Sequence, residues 1–288
     1  MLSYRHAFHA GNHADVLKHV VLVETLRHLL RKATPLWYVD THAGVGEYRL
    51  DPKPPAGQAE WLNGIARLWD EPALPAALAP YMGLVRALNP DGKLRRYPGS
   101  PRLAVELLRS AKRSLDKAWL YELQPSDFPR LEQNFRGSRE VRCTAADGFA
   151  ALRGLLPPAP RRGLVFIDPS YELRSDYRRL VETLEDALQR FETGCYLVWY
   201  PIVQRAEALE LPARLLRLGS SSGPARWLRA ELRVQAPPAG GYGLYGSGLF
   251  VINPPWTLPA MLQDLLPWLA RRLALDDQAS QSLEYQLP

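Results

Sequence analysis

Short apolar runs alternate with helical patterns along most of the chain. The first five runs have lengths that suit strands buried on both faces of a parallel sheet: Leu36–Asp40, Ala118–Leu123, Glu140–Thr144, Leu164–Asp168 and Tyr196–Tyr200. Apolar spacings close to the helical period and capping signals predict five helices, over Asp15–Arg31, Pro101–Ser110 (with Ser100 as N-cap), Asp127–Asn134, Gly148–Leu155 and Tyr177–Phe191. This alternation predicts an α/β fold with a doubly wound, mostly parallel sheet.

Two later apolar runs, Trp227–Val234 and Gly248–Asn253, flank a glycine-rich turn over Ala239–Ser247. Strands joined by a short turn pair antiparallel, so we expect a terminal antiparallel pair on this sheet. Residues 50–97 interrupt the alternation and carry helical patches over Glu60–Trp69 and Leu74–Leu88. Because a structureless loop of that length is unusual, we predict an inserted helical subdomain over 50–97, with the main domain formed by 1–49 and 98–288; a long surface loop is the alternative.

Composition narrows the class of protein only a little. The 288 residues are 47% hydrophobic and 23% charged, which is typical of a globular protein and excludes a mainly disordered or fibrous chain. The net charge of +6 favours a polyanionic partner without identifying one. The sequence shows no signal-peptide core, no bilayer-spanning apolar run and no CxxC pair, so we expect a cytoplasmic, reducing setting.

The first strand runs into a loop that has features of a nucleotide site. Asp40 ends the strand, and Gly44 and Gly46 follow, at the sheet edge where α/β proteins bind ligands. His42 stands where a GxGxxG motif needs its first glycine, which argues against NAD. The loop suits S-adenosyl-L-methionine (SAM) better, because SAM has no pyrophosphate for a helix N-terminus to bind.

Acidic residues also follow the next two strands. Glu122 is placed to accept hydrogen bonds from ribose hydroxyls, and Asp147, which precedes Gly148, is placed to bind the exocyclic amine of an adenine ring. Each acid alone is more typical of a helix cap or of the surface. Their shared position at consecutive strand ends favours a cofactor site.

The fourth strand ends in Asp168-Pro169-Ser170-Tyr171, which resembles the Asp/Asn-Pro-Pro-Tyr/Phe signature of methyltransferases that modify exocyclic or planar nitrogens. The lone pair of an adenine N6 is delocalised into the ring, so acceptors for its hydrogens make it more nucleophilic. Asp168 would supply a carboxylate and accept the proton, Pro169 would supply a carbonyl, and Tyr171 would stack on the base. Ser170 replaces the second proline and removes some rigidity.

A competing match, Asn253-Pro-Pro-Trp256, is closer to that signature letter for letter. Asn253, however, ends a strand that we expect to be antiparallel, so it should point away from the crevice at the ends of the parallel strands. We therefore favour Asp168 and interpret Asn253–Trp256 as a packed turn.

The N-terminal segment is dense in aromatic and basic residues, and all six histidines lie in the first 42 positions. Tyr4 and His6 are suited to contact an unpaired base, and Arg5 and Lys18 to contact phosphates. Nearby carboxylates are few and no HExxH pattern occurs, so we predict no metal site. A solvated arm with a helix cap is the alternative to a substrate-facing arm.

Together these motifs resemble the RlmJ family, bacterial enzymes that use SAM to methylate N6 of an adenine in 23S ribosomal RNA. The resemblance rests on Tyr4–His19, Asp40–Gly44 and Ile167–Glu172, with Asn253–Trp256 as a further match. It implies a class I SAM-dependent, Rossmann-like methyltransferase fold with a small helical insertion. It also implies SAM as cofactor, adenine 2030 of 23S rRNA as target, and a monomer.

The resemblance further implies roles for single residues. Asp168 would be catalytic, together with Pro169 and Tyr171. Tyr4, His6 and Lys18 would face the target adenosine. The SAM site would include His19, His42, Ser100, Glu122, Asp147, Gly148 and Asp168.

Four other functions remain open. A DNA adenine methyltransferase would use the same chemistry, although the insertion is small for a target-recognition domain. A protein glutamine methyltransferase would use Asn253 instead of Asp168. A non-catalytic RNA-binding module fits poorly with an acid at the end of the fourth strand, and an NAD-dependent enzyme fits poorly with the glycine pattern.

Overall fold

The computed structural model describes residues 6–51, 59–220, 223–241 and 243–287. Its strands, in chain order, are β1 Trp37–Asp40, β2 Glu47–Arg49, β3 Arg96–Pro98, β4 Lys117–Tyr121, β5 Val141–Thr144, β6 Gly163–Ile167, β7 Cys195–Ile202, β8 Gly219–Ser220, β9 Gly223–Pro224, β10 Trp227–Arg233, β11 Gly246–Ile252 and β12 Ser280–Gln286. Its α-helices are α1 His13–Leu29, α2 Ala66–Trp69, α3 Ala79–Ala87, α4 Ser100–Ser110, α5 Phe128–Asn134, α6 Gly148–Leu155, α7 Arg174–Arg190, α8 Ala206–Leu215 and α9 Leu258–Leu273. Three 3-10 helices cover His6–Phe8, Glu60–Asn63 and Ala76–Leu78.

Eight of the strands form one sheet in the order β12-β10-β11-β7-β6-β1-β4-β5. The five strands from β7 to β5 in that order are parallel, and β11, β10 and β12 are antiparallel to their neighbours. This confirms the predicted parallel strands and the predicted antiparallel pairing of the two late strands. The terminal unit is larger than predicted, because β12 adds a third antiparallel strand at the edge.

Helices cover both faces of the sheet, which explains why its central strands are apolar throughout. Every residue of β6 is buried. A hydrophobic core lies on each face of the sheet, and successive residues of β1 belong to different cores. Tyr38 belongs to the core that contains side chains of α1, α4 and α9, and Val39 to the core that contains side chains of α6, α7 and α8. The period of two along a strand makes this alternation possible.

The segment between β1 and α4 is helical where helical patches were predicted. It is bounded by β2 and β3, a short antiparallel pair that the sequence analysis did not predict. Its side chains Ile65, Tyr81 and Val85 belong to the same hydrophobic core as those of α1 and α4. The division of the chain at residues 50 and 97 stays a prediction.

Strand direction decides between the two Asp/Asn-Pro motifs. The parallel strands all end at one edge of the sheet, whereas β11 ends at the other, where its Ile252 pairs with Tyr196 near the start of β7. Asn253 has a positive φ of 52°, and its Nδ2 donates to the carbonyls of Glu192 and Gly194 at 2.7 and 2.8 Å. The predicted turn is confirmed, and the Asn253 side chain is fixed in it, but Trp256 is 73% exposed, so the expectation that the whole segment is packed is wrong for this residue.

Candidate active site

A cavity of about 790 Å³ lies at the edge of the sheet where the parallel strands end. Eleven of the twelve residues predicted for the site line it: His6, Lys18, His19, His42, Ser100, Glu122, Asp147, Gly148, Asp168, Pro169 and Tyr171. The twelfth, Tyr4, lies outside the described residues. The strand-end residues meet because parallel strands share one carboxyl edge.

Glu122 joins the loop after β4 to the glycine loop after β1. Its Oε2 accepts a hydrogen bond from the Gly44 amide at 2.7 Å, and its Oε1 accepts one from the Gln124 amide at 2.7 Å. Burial raises the pKa of this carboxyl above its usual range, although both amides act in the opposite direction. The acid is therefore fixed in the cavity wall by two backbone donors.

Asp147 and Gly148 form the start of α6. Asp147 Oδ1 caps the helix by accepting from the amides of Phe149 and Ala150 at 3.0 and 3.4 Å, and Oδ2 pairs with Arg179. A Cβ on Gly148 would lie 2.0 Å from the carbonyl oxygen of Thr41, so only glycine allows this approach between α6 and the β1 loop.

His42 packs against this helix start. The His42 ring contacts that of Phe149 edge-on, with the centroids 4.8 Å apart, and its Nδ1 lies 2.8 Å from Thr41 Oγ1. Burial lowers the pKa of His42 to about 4, which leaves a neutral ring in the cavity wall at pH 7.

Ser100 contacts a buried acid. The helix begins at Ser100 with Gly99 as its N-cap, so the expectation that Ser100 itself caps the helix is wrong. Its hydroxyl instead donates to Asp40 Oδ2 at 2.7 Å, and the Tyr38 hydroxyl donates to the same oxygen at 2.7 Å. Burial raises the pKa of Asp40 to about 7. Asp40 was noted at a strand end, but its link to Ser100 was not predicted.

His19 lies on α1, one turn beyond Asp15. Its Nδ1 is 2.7 Å from the Tyr97 hydroxyl, which in turn lies 2.9 Å from the Tyr81 hydroxyl. Burial lowers the pKa of His19 to about 3. The ring is therefore neutral, and it connects the cavity to the helical segment between β2 and β3.

Asp168 forms the acidic end of a buried charge cluster. Lys18 Nζ lies 2.6 Å from Asp168 Oδ2 and 2.7 Å from Asp15 Oδ1. The second oxygen of Asp15 accepts from the Gly11 amide at 2.7 Å and lies 3.1 Å from His6 Nε2. Burial disfavours the charged forms of Lys18 and Asp15, yet the two carboxylates raise the pKa of Lys18, and Lys18 with His6 holds the pKa of Asp15 well below its usual range.

The role of Asp15 was missed by the sequence analysis. The signal was its spacing of three residues from Lys18, which places both side chains on one face of α1. Their burial is what gives the pair its strength, and burial at these positions is not visible in a local pattern.

Tyr171 is held by the protein on several sides. Its hydroxyl donates to the Trp199 carbonyl at 2.6 Å, its ring packs on Tyr177 with the centroids 4.6 Å apart, and only 3% of the residue is exposed. Its φ is +53°, so the backbone bends sharply after Asp168. The expectation that this ring stacks on a base stays a prediction.

Two further features of the structure concern metal ions and membranes. Within the described ranges, no group of three or more His, Cys, Asp or Glu side chains is arranged to hold a metal ion. In the same part of the chain, no helix is both long and apolar enough to cross a membrane.

A mostly parallel sheet that brings acids after β4 and β5 and an Asp-Pro motif after β6 into one cavity is the arrangement of a class I methyltransferase, the class whose methyl donor is SAM. Residues 33–287 match the family model described as ribosomal RNA large subunit methyltransferase D, RlmJ. The chain belongs to this family of methyltransferases, as the resemblance of its motifs predicted.

Individual relatives agree over the whole length. Ribosomal RNA large subunit methyltransferase J of Haemophilus influenzae is 44% identical over 289 residues, which is 100% of both chains. The protein of the same name from Escherichia coli K12 is 44% identical over 273 residues, 95% of this chain and 94% of its own. A crystal structure of a Legionella pneumophila protein is similar with a TM-score of 0.86 and 34% identity, covering 96% of this chain and 98% of that one.

Proposed function

We propose that this protein methylates N6 of one adenine in 23S ribosomal RNA, with adenine 2030 as the family's target. The supporting observation is the place of Asp168. It follows β6, which lies in the sheet between β1 and β7, and its side chain is 15% exposed at a cavity also lined by residues after β1, β4 and β5.

The residues after β1, β4 and β5 fit SAM. The fixed carboxylate of Glu122 is suited to accept hydrogen bonds from the ribose hydroxyls of SAM. Asp147, beside the neutral rings of His42 and Phe149, is suited to bind its adenine ring. When bound, SAM supplies an electrophilic methyl group; Ser100, His19 and Gly148 shape the wall around it.

Asp168 and Pro169 then act on the acceptor. The Asp168 carboxylate and the Pro169 carbonyl accept the two N6 hydrogens, which orients the nitrogen lone pair toward the cofactor side of the cavity. Asp168 takes the proton that N6 releases on gaining a methyl group, so no covalent enzyme intermediate is needed. Lys18 balances the charge of Asp168 and, with His6 and Tyr4, faces the target adenosine.

The proposed cellular location and oligomeric state rest on the substrate and on the residues that form the site. We propose that the enzyme works in the cytoplasm, because that is where bacterial 23S ribosomal RNA is made. A single copy of the chain carries every proposed cofactor and catalytic residue. We propose that it acts as a monomer, which size-exclusion chromatography with light scattering measures directly.

The test compares acceptors and variants. Wild-type protein is incubated with methyl-labelled SAM and either protein-free 23S rRNA or duplex DNA, and the labelled nucleoside is identified by mass spectrometry. We expect N6-methyladenosine at one position of the rRNA. Label in DNA alone would support the DNA adenine methyltransferase instead, and no label in either would contradict the proposal.

Two variants test the assigned residue. Asp168→Ala should lower transfer by at least about 100-fold, the range of a missing general base, while SAM binding by calorimetry persists. Asn253→Ala, at the opposite sheet edge, is the matched control and should keep wild-type transfer. Near-normal transfer by Asp168→Ala would overturn the assignment, and loss in Asn253→Ala alone would point to the glutamine-type site.

A further inference from the structure

The cavity extends beyond the part that fits SAM. Pro201, Val203 and Arg205 line it at and after the end of β7, on the side of β6 that faces away from β1. Gly241 and Gly243 line it from the loop before β11, which reaches the same edge because Gly246 pairs with Ile202. Asp168 therefore separates a cofactor half, after β1, β4 and β5, from a second half, after β7 and before β11.

The second half of the cavity differs from the cofactor half in the charge of its lining, and Arg205 is the residue responsible. The other lysine and arginine side chains that line the cavity, Lys18 and Arg179, are both ion-paired, with Asp168 and Asp147 respectively. Arg205 is exposed, and no carboxylate in the described ranges lies within ion-pair distance of it. Its Nη1 lies 3.4 Å from the carbonyl of Tyr171, three residues after Asp168 in the loop between β6 and α7.

We propose that Arg205 binds a backbone phosphate of the RNA strand next to the target adenosine; this inference rests on the proposed function and deepens it. A guanidinium is a planar set of donors that matches phosphate oxygens, and its charge is not neutralised here. Gly241 and Gly243, which line the cavity on the opposite side with φ values of +72° and +110°, add no charge or side chain of their own there.

The position of Arg205 next to the catalytic loop also explains how a bound phosphate would help the reaction. Contact with the Tyr171 carbonyl ties the guanidinium to the loop that carries Asp168, so a phosphate bound there is held at a fixed place relative to the catalytic carboxylate. A nucleotide anchored by its phosphate has less freedom to lose when its base enters the cavity.

Three variants separate charge from structure. Arg205→Gln removes the charge but keeps a polar side chain with N–H donors, and Arg205→Lys keeps the charge without the planar fork. Arg271→Gln is the matched control: Arg271 is exposed on α9, lies away from the cavity, and likewise has no described carboxylate within ion-pair distance.

The measurement is the affinity for a short fluorescent single-stranded RNA with one adenine among pyrimidines, over a series of salt concentrations. At low salt, Arg205→Gln should bind about tenfold more weakly than wild type. Its slope of log affinity against log salt should be shallower by about 0.7, the loss of one phosphate contact. Arg205→Lys should keep the wild-type slope, Arg271→Gln should match wild type, and SAM affinity should be unchanged in all three.

Three results would overturn the phosphate site: wild-type affinity and slope in Arg205→Gln, an equal loss in Arg271→Gln, or no RNA binding by wild type. The test is independent of the proposed function. RNA binding that depends on Arg205 in a protein unable to methylate 23S rRNA would refute only the proposed reaction, and methylation that is indifferent to Arg205 would refute only this inference.

Discussion

The ammonium group of Lys18 lies between two carboxylates, 2.6 Å from Asp168 Oδ2 and 2.7 Å from Asp15 Oδ1. Asp15 is fully buried and Lys18 nearly so, which makes each charge costly unless it is paired. In the proposed reaction Asp168 would turn toward the substrate amine, and Lys18 would then still be paired with Asp15, so no buried ammonium would be left without a carboxylate.

Lys18→Met should destabilise the fold. The substitution keeps most of the length of the side chain but removes the ammonium that lies between the two carboxylates. We expect the free energy of unfolding, from urea titration, to fall by about 3–5 kcal/mol. The double variant Lys18→Met/Asp15→Asn, which also removes one of those carboxylates, should recover part of the loss. Wild-type stability in the single variant would show that the cluster contributes little.

Asp15→Asn should impair catalysis through Lys18. The amide still accepts from the Gly11 amide, but it no longer balances the ammonium, which then binds Asp168 more tightly. We expect the single-turnover rate to fall by on the order of tenfold to a hundredfold, with unchanged SAM affinity. In a Lys18→Met background the effect should disappear, because the two residues act as one unit. An equal loss in both backgrounds would mean that Asp15 acts by another route.

The fold was predictable where single elements carry their own signal. β6 is buried at every position, so its apolar run identifies it without any neighbour. β12 could not be found that way, because Ser280–Gln286 is a mostly exposed edge strand with a polar sequence. α9 was not predicted either, although Leu258, Leu262 and Leu265 follow a helical spacing that is visible in the sequence.

The sequence was enough to predict where the site lies in the fold, but not which hydrogen bonds and ion pairs connect its residues. The rule that parallel strands end at one edge was enough to bring Glu122, Asp147 and Asp168 together. The hydrogen bond from Ser100 to Asp40 spans 60 residues and that from Lys18 to Asp168 spans 150. Such pairings arise from tertiary packing, which no local pattern specifies.

Glu122→Gln should weaken SAM binding. An amide side chain has one acceptor oxygen where the carboxylate uses two, so either the Gly44 or the Gln124 amide loses its partner, and a charged acceptor for ribose hydroxyls is lost. We expect the calorimetric Kd for SAM to rise by about tenfold or more. Glu132→Gln, at an exposed position on α5, is the control and should bind SAM normally. Equal Kd values in the two variants would contradict the ribose role.

Two glycines of α6 should respond oppositely to alanine. A Cβ at Gly148 would collide with the Thr41 carbonyl, so Gly148→Ala must push α6 away from the β1 loop, at a cost of about 1–3 kcal/mol. A Cβ at Gly154 meets no atom within 4 Å, so Gly154→Ala should stabilise the protein by about 0.5–1 kcal/mol. Thermal unfolding measures both, and calorimetry should show weaker SAM binding for Gly148→Ala alone.

Because three histidines are buried or half-buried, we expect the protein to lose stability at mildly acidic pH. Burial lowers the pKa of His13 from 6.5 to about 4, and it shifts His19 and His42 in the same direction. Between pH 6.5 and about 4 the unfolded chain binds more protons than the folded one. The contribution of the neutral histidines to the free energy of unfolding is therefore complete above pH 6.5 and is lost as the pH drops toward 4. His13→Gln does not titrate, so between pH 7 and pH 5 it should lose about 2 kcal/mol less than wild type. Urea unfolding at the two pH values tests this, and parallel losses in both proteins would show that His13 is not the group responsible.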